Sequence, residues 1–205
     1  MRPIACMVTP PIMPEGVDAL VSRIEQAGRA GLDLVQIRQP QLEAGILTDL
    51  VRRAVAAAHG TRTRILVNDR LDVALAAGAH GVHLREQSVA APRIRRVVPR
   101  GFLLGRSVHD VDGATNAAGT GVDYLIFGTV YPSPSKPGRV PAGEAALSRV
   151  VGAVSLPVLA IGGVTVDRLA GVARAGAAGF AAIGLFAGGT LADILDEAAS
   201  VWSRR

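Results

Sequence analysis

The residues best suited to chemistry sit in one proline-bracketed loop, Gly128-Thr129-Val130-Tyr131-Pro132-Ser133-Pro134-Ser135-Lys136-Pro137-Gly138. Proline fixes the path of such a loop, Ser133 and Ser135 offer hydroxyl donors, and Lys136 carries a mobile ammonium. Lys136 is the one lysine among 22 Lys and Arg residues. The combination suits an anion, phosphate foremost, although an ordinary solvated loop would read the same way. Other candidates are scattered. Gln36 and Arg38 alternate about Ile37 and so share one face of an extended strand, where they could meet a heterocycle edge and a phosphate. A buried Arg–carboxylate pair is the plainer account of Arg38. Asn68-Asp69 closes an apolar run: Asp69 either caps the helix that follows or holds Mg²⁺ through one carboxylate while substrate phosphates complete the shell. His83 and His109 are acid–base or ligand-binding candidates, against the default of a packed histidine. Gly162-Gly163 with Thr165, and the glycines from Gly184 to Gly189, offer backbone amides for a phosphate, or else are tight turns needing positive φ.

These residues need elements to bring them together. Short β-rich runs are expected at 4–9, 34–38, 64–68, 81–84, 102–108, 124–130, 157–161 and 180–184. Helical patterns lie near 16–30, 42–58, 70–77, 90–98, 110–118, 143–153, 166–174 and 190–203, as the spacing of Leu47, Leu50, Val51, Ala54 and Val55 illustrates. Eight strands alternating with eight helices, without a linker, predict one α/β domain over residues 1–205. An echo, Ala30-Gly31-Leu32-Asp33-Leu34-Val35, Ala77-Gly78-Ala79-His80-Gly81-Val82 and Ala175-Gly176-Ala177-Ala178-Gly179-Phe180, recurs where helices end and strands begin, with a looser copy at Ala118–Tyr124. With no Gly-x-Gly-x-x-Gly after the first strand, the count favours a closed TIM (β/α)₈ barrel over a doubly wound sheet. Every candidate above follows a strand, so all of them would line the C-terminal mouth.

Composition narrows the class. Apolar residues make up 49% but aromatics only 3%, so aliphatic side chains must build the core. The single Cys6 excludes an internal disulfide and, lying in an apolar run, reads as a buried structural thiol. Neither the N-terminus nor the glycine-broken stretch from Ala175 to Gly189 suits a signal peptide or membrane span, so a soluble, cytoplasmic protein is expected. The net charge of +5 permits nucleic-acid binding, but Arg93, Arg96 and Arg100 form a solvated face without interleaved aromatics. The expected partner is a phosphorylated small molecule, not nucleic acid or membrane, with homo-oligomerisation left open.

In order along nearly the whole chain, Val35-Gln36-Ile37-Arg38, Val67-Asn68-Asp69-Arg70, Gly81-Val82-His83-Leu84, the Gly128–Gly138 loop and Pro157-Val158-Leu159-Ala160-Ile161-Gly162-Gly163 resemble the successive motifs of the thiamin-phosphate synthase/TenI family. The resemblance implies a TIM barrel. It also implies one of two reactions. The synthase joins a pyrimidine methyl diphosphate to a thiazole phosphate and releases diphosphate with Mg²⁺, whereas TenI-type members isomerise the thiazole phosphate. Carried over, it gives Gln36 and His83 to the pyrimidine, and Asn68 and Asp69 to diphosphate and metal, with Asp69 the metal ligand. Arg38, Ser107, Ser133, Ser135 and Lys136 would hold the diphosphate. Gly162, Gly163, Ile183 and Gly184 would meet the thiazole phosphate. Arg38, Lys136 and His109 are the catalytic candidates.

Three departures from the synthase pattern stand out. Pro40 replaces a basic residue, and Ser88 replaces the second metal carboxylate, with Glu86 nearby in another register. Gly105-Arg106-Ser107-Val108-His109 looks more like the TenI branch, yet the acid–base histidine of that branch is Thr129 here. The departures tilt the reading toward a TenI-like tautomerase. The synthase is the alternative, and a non-catalytic barrel that binds a thiamin precursor for regulation is a third.

Overall fold

A computed structural model describes residues 2–11, 16–188 and 190–204. Eight parallel strands, β1 (Ile4–Val8), β2 (Leu34–Ile37), β3 (Arg64–Asn68), β4 (Gly81–Leu84), β5 (Leu103–Val108), β6 (Tyr124–Gly128), β7 (Val158–Ile161) and β8 (Gly179–Ala182), close in sequence order into a barrel. The β1–β8 pairing, Ile4 opposite Gly179 through Met7 opposite Ala182, closes it. Helices α1 (Gly16–Arg29), α2 (Ala44–Ala57), α3 (Leu71–Ala76), α4 (Ala91–Arg95), α5 (Val111–Ala118), α6 (Gly143–Ala153), α7 (Leu169–Arg174) and α8 (Leu191–Ser203) alternate with the strands. The TIM barrel expected from the alternation is the fold the chain adopts. No helix among the described residues is long and apolar enough to cross a membrane.

Strand alternation sorts the residues into two cores. Cys6, Val8, Leu34, Leu66, Tyr124, Ile126, Leu159 and Ala181 fill the barrel interior. Their neighbours, such as Met7, Val35, Ile65, Val82, Leu104, Phe127, Ala160 and Phe180, face outward into a larger core beneath the helices. Leu47, Leu50, Val51 and Ala54 are the buried stripe of α2. Each of its large aliphatic side chains contributes about 1.5–3 kcal/mol by leaving water. Cys6 is fully buried, and burial pushes its thiol pKa up to about 12, so it is an inert structural thiol.

The repeated helix-end motif has a structural purpose beyond its glycine. Asp33, entering β2, accepts the Ala5 N–H of β1 at 3.0 Å. Asp123, entering β6, accepts the Leu104 N–H of β5 at 2.7 Å. His80, entering β4, accepts the Ile65 N–H of β3 at 3.0 Å through Nδ1. In each case the residue before a strand satisfies a donor at the start of the preceding strand, where the ladder has no partner to offer. These bonds knit the N-terminal face of the barrel.

Several elements are shorter than the periodicity predicts. β2 stops before Arg38, β6 before Thr129 and β8 before Ile183, because at the C-terminal mouth the chain turns away into loops. α4 ends at Arg95, where the Val97 N–H returns to the Ile94 carbonyl in a tighter turn that leads to Pro99. Arg93, Arg96 and Arg100 are exposed, as a solvated face requires.

Candidate active site

A cleft of about 900 Å³ opens at the C-terminal ends of the strands. Inward-facing positions build its floor. On β2, β3, β4 and β5 the last inward residues are Gln36, Asn68, His83 and Ser107, and all four line the cleft. Arg38, His109, Ser133, Ser135, Lys136, Gly162, Gly163, Ile183 and Gly184 complete the set expected from sequence. Asp69 is the exception and does not line the cleft. Arg106 stays out as well: its guanidinium donates to the Glu86 carbonyl at 2.7 Å and the Ser88 carbonyl at 3.2 Å, which ties down the loop after β4. Gly189 lies outside the described residues.

His83 is 2% exposed, and burial lowers its pKa to about 3 despite the nearby Asp69 charge, so the ring is neutral at ordinary pH. The Tyr124 hydroxyl lies 3.1 Å from its Nδ1. Burial holds the Tyr124 pKa far above the phenol range, so the phenol keeps its proton. Nε2 lies 2.9 Å from Ser107 Oγ. The neutral ring carries one proton, so one of its nitrogens donates and the other accepts. Gly105 permits the arrangement, because a Cβ there would lie 2.1 Å from the Tyr124 ring and 2.5 Å from His83 Nδ1. An acid–base role does not suit His83, since both ring nitrogens are engaged and the ring resists protonation.

Gln36 is 4% exposed and donates through Nε2 to Asn68 Oδ1 at 2.9 Å. Its Oε1 is buried and accepts no hydrogen bond from the described residues. A buried acceptor left this way costs about 1–3 kcal/mol. A ligand N–H reaching this oxygen would remove that cost.

Three cations gather across the mouth. The β1 end anchors Arg38, whose N–H donates to Thr9 Oγ1 at 2.9 Å. Lys136 is exposed, yet partial desolvation, then Arg139 and Arg38, lower its ammonium pKa. Arg38 is exposed, so it is not a buried Arg–carboxylate pair, and among the described residues no carboxylate comes within ion-pair distance of Arg38, Lys136 or Arg139. Ser133 and Ser135, with Oγ atoms 2.9 Å apart, stand beside them.

Gly162 and Gly163 have φ of 98° and 62°. A Cβ on Gly163 would lie 2.2 Å from the Pro132 carbonyl, and one on Gly162 would lie 2.5 Å from Thr129 Cγ2. Close packing of the β6 and β7 loops therefore explains the glycine pair by itself, while its backbone still faces the cleft. Sequence reading missed Arg168, whose Nη1 donates to the Gly163 carbonyl at 2.6 Å and whose guanidinium lies 4.9 Å from the Tyr131 ring. Its place five residues after Gly163 on a strand–helix connection was the available signal. Arg85, the first residue beyond β4, was missed for want of the same argument, and it too lines the cleft.

His109 Nδ1 donates to the Gly128 carbonyl at 2.6 Å, and Nε2 stands 4.0 Å from Glu86 Oε2. Nε2 is the ring atom left to exchange a proton with a ligand. Thr129, 4% exposed, has no comparable group.

Asp69 departs from its expected role. Its backbone has φ 60°, the one left-handed non-glycine among the described residues. Arg70, not Asp69, occupies the N-cap of α3. The Asp69 carboxylate instead accepts from Arg85 Nε at 2.6 Å, is ion-paired with Arg85 Nη2, and accepts from Ser88 Oγ through its other oxygen. Mg²⁺ needs several oxygen ligands in a tight octahedron and tolerates no cation inside it. With both Asp69 oxygens engaged and a guanidinium against them, and Ser88 in place of a second carboxylate, these residues do not fit a magnesium ion.

Comparison with known proteins agrees with the geometry. A family model described as thiamine monophosphate synthase matches residues 5–186. The thiamine-phosphate synthase of Methanoculleus marisnigri is 42% identical over 172 residues, covering 82% of this chain and 79% of that protein. The thiamine-phosphate synthase of Anaeromyxobacter dehalogenans is 41% identical over 159 residues, covering 77% and 71%. Among solved structures, thiamine phosphate pyrophosphorylase from Pyrococcus furiosus superposes with a TM-score of 0.82 over 98% of this chain and 95% of that one. At 24% identity that likeness speaks to the fold alone.

Proposed function

The chain belongs to the thiamin-phosphate synthase/TenI family of enzymes, and on that premise we propose that it catalyses the coupling reaction. In this reading an aminopyrimidine methyl diphosphate and a thiazole phosphate bind at the barrel mouth. The C–O bond from the pyrimidine methylene to diphosphate breaks, and its electron pair leaves with the diphosphate. The thiazole nitrogen lone pair then forms the new C–N bond.

The observation that carries the proposal is Gln36 Oε1, buried at the cleft floor with no donor among the described residues. An aminopyrimidine supplies an N–H donor. A thiazole phosphate, with only a ring nitrogen acceptor and an anion, leaves the oxygen unsatisfied. The cation cluster fits the same reading, since a leaving diphosphate needs positive charge more than a strong base. Arg38 and Lys136 repel one another until an anion arrives, so binding is favoured where charge develops. Ser107, Ser133 and Ser135 add hydroxyl donors, and Gly162, Gly163, Ile183 and Gly184 face the thiazole phosphate. His83, neutral and fixed, orients Ser107.

Incubation of the purified protein with both substrates tests the proposal: thiamin phosphate and diphosphate should appear in equal amounts. Binding of thiazole phosphate without product would sink it. Gln36→Leu should raise KM for the pyrimidine diphosphate by roughly tenfold or more while leaving thiazole phosphate affinity unchanged. A second reading, isomerisation of the thiazole phosphate, is favoured by His109, whose Nε2 is left for proton transfer beside the cleft. Conversion of one thiazole tautomer to the other, lost in His109→Gln, would establish it.

A further inference from the structure

The mismatch at Asp69 has a positive side. Arg85 follows β4 directly, and its backbone N–H donates to Ser88 Oγ at 2.9 Å. Ser88 in turn donates to one oxygen of Asp69, and Arg85 binds the other through Nε and Nη2. Arg106 holds the Glu86 and Ser88 carbonyls from below. The left-handed turn at Asp69, itself held by its N–H to the His83 carbonyl at 2.9 Å, brings the carboxylate to this group. Three neighbouring strand ends thus cooperate to hold one guanidinium in a fixed plane. The Asp69 side chain is 18% exposed, while that of Arg85 is 73% exposed and borders the cleft. A guanidinium has five N–H donors. Asp69 takes two, so three remain for oxygens in the cleft.

We propose that Arg85, locked by Asp69 and Ser88, is the cation that grips the diphosphate at this side of the mouth, and that diphosphate binding here does not depend on a divalent metal. The ligand identity rests on the coupling reading above. The chemistry does not: planar, paired N–H donors match phosphate oxygens, which a hydrated point charge meets differently. Asp69 is then a positioning residue, and Arg85 touches the substrate.

The test titrates inorganic pyrophosphate, with EDTA or with Mg²⁺, into the wild-type protein, Arg85→Gln, Arg85→Lys and Asp69→Asn. In EDTA the wild type should bind. Arg85→Gln should weaken binding by roughly ten- to a hundredfold, with Arg85→Lys recovering only part, because an ammonium lacks the fork. Asp69→Asn should fall between. Circular dichroism and melting of Arg85→Gln should match wild type, as befits an exposed side chain. A wild-type protein that binds pyrophosphate only with Mg²⁺, or an Arg85→Gln variant that binds as tightly as wild type in EDTA, would overturn the proposal. Coupling assays in the same buffers separate the two ideas. Product formed, but only with Mg²⁺ or indifferently to Arg85, overturns this inference and leaves the coupling reading standing. Arg85-dependent pyrophosphate binding without product does the reverse.

Discussion

The two faces of the barrel use charge in opposite ways. On the N-terminal face, Asp33 is paired with Arg62 at 2.6 Å and accepts a backbone N–H, while Asp123 is paired with Arg95 at 2.6 Å and does the same. There each carboxylate at a strand entrance is held by both an arginine and a backbone N–H. On the C-terminal face, Arg38, Lys136 and Arg139 stand together, and among the described residues no carboxylate neutralises them and no donor reaches Gln36 Oε1. Paired charges and satisfied acceptors hold a structure. Unpaired cations and an orphaned acceptor are costs to the free protein that a ligand can repay. The contrast separates structural from functional charge without any knowledge of the reaction.

The contrast makes predictions that can break it. The largest effect is expected on the open face: Lys136→Ala should lower kcat/KM by roughly 10²–10³-fold with thermal stability unchanged, as loss of a preorganised electrostatic group does. A fall in melting temperature with normal kinetics would mean that the cation cluster is structural after all.

The next prediction sharpens the division, because His83 belongs to the open face yet should act on stability. Its pKa is about 3 folded against an ordinary 6.5, so the unfolded chain takes up a proton first as pH falls. Stability from this group is therefore complete above pH 6.5 and is lost through the window from 6.5 down to about 3, at on the order of 1.4 kcal/mol per pH unit. His83→Gln should flatten that slope in denaturant melts. Parallel slopes for the two proteins would show that the ring is not buried in its neutral form.

The smallest effect is expected on the closed face. Asp33→Ala strands the N–H of Ala5, itself 1% exposed, and should cost about 1–3 kcal/mol of unfolding free energy while kcat and KM stay at wild-type values. The exposed partner Arg62 contributes little to that figure, so Arg62→Ala should be far milder. Equal losses from the two variants would place the energy in the ion pair.

Much of this was legible before any coordinates. The period of two in Gln36-Ile37-Arg38 and Val67-Asn68, set against the period near 3.6 in α2, identifies strands and helices because side-chain direction along a strand or helix is a local property of the backbone. Alternation around a closed count of eight then sends Gln36, Asn68, His83 and Ser107 to one mouth. Asp33, His80 and Asp123 were visible as an echo, although not as acceptors for the strand before them.

What the tertiary structure alone decided concerns partners across loops. Ser88 and Arg85 are distant from Asp69 in sequence, and nothing in their spacing reveals that β4 delivers them to its two oxygens. Arg106 has the right type for the site but the opposite parity to Ser107, and only the structure shows that its guanidinium donates to the Glu86 and Ser88 carbonyls. The orphaned Gln36 Oε1 is likewise invisible in a string of letters, since satisfaction depends on every neighbour at once. Local periodicity is written along the chain. Hydrogen-bond partnership between strand ends is set by barrel closure, which brings together residues whose separation in sequence carries no trace of it.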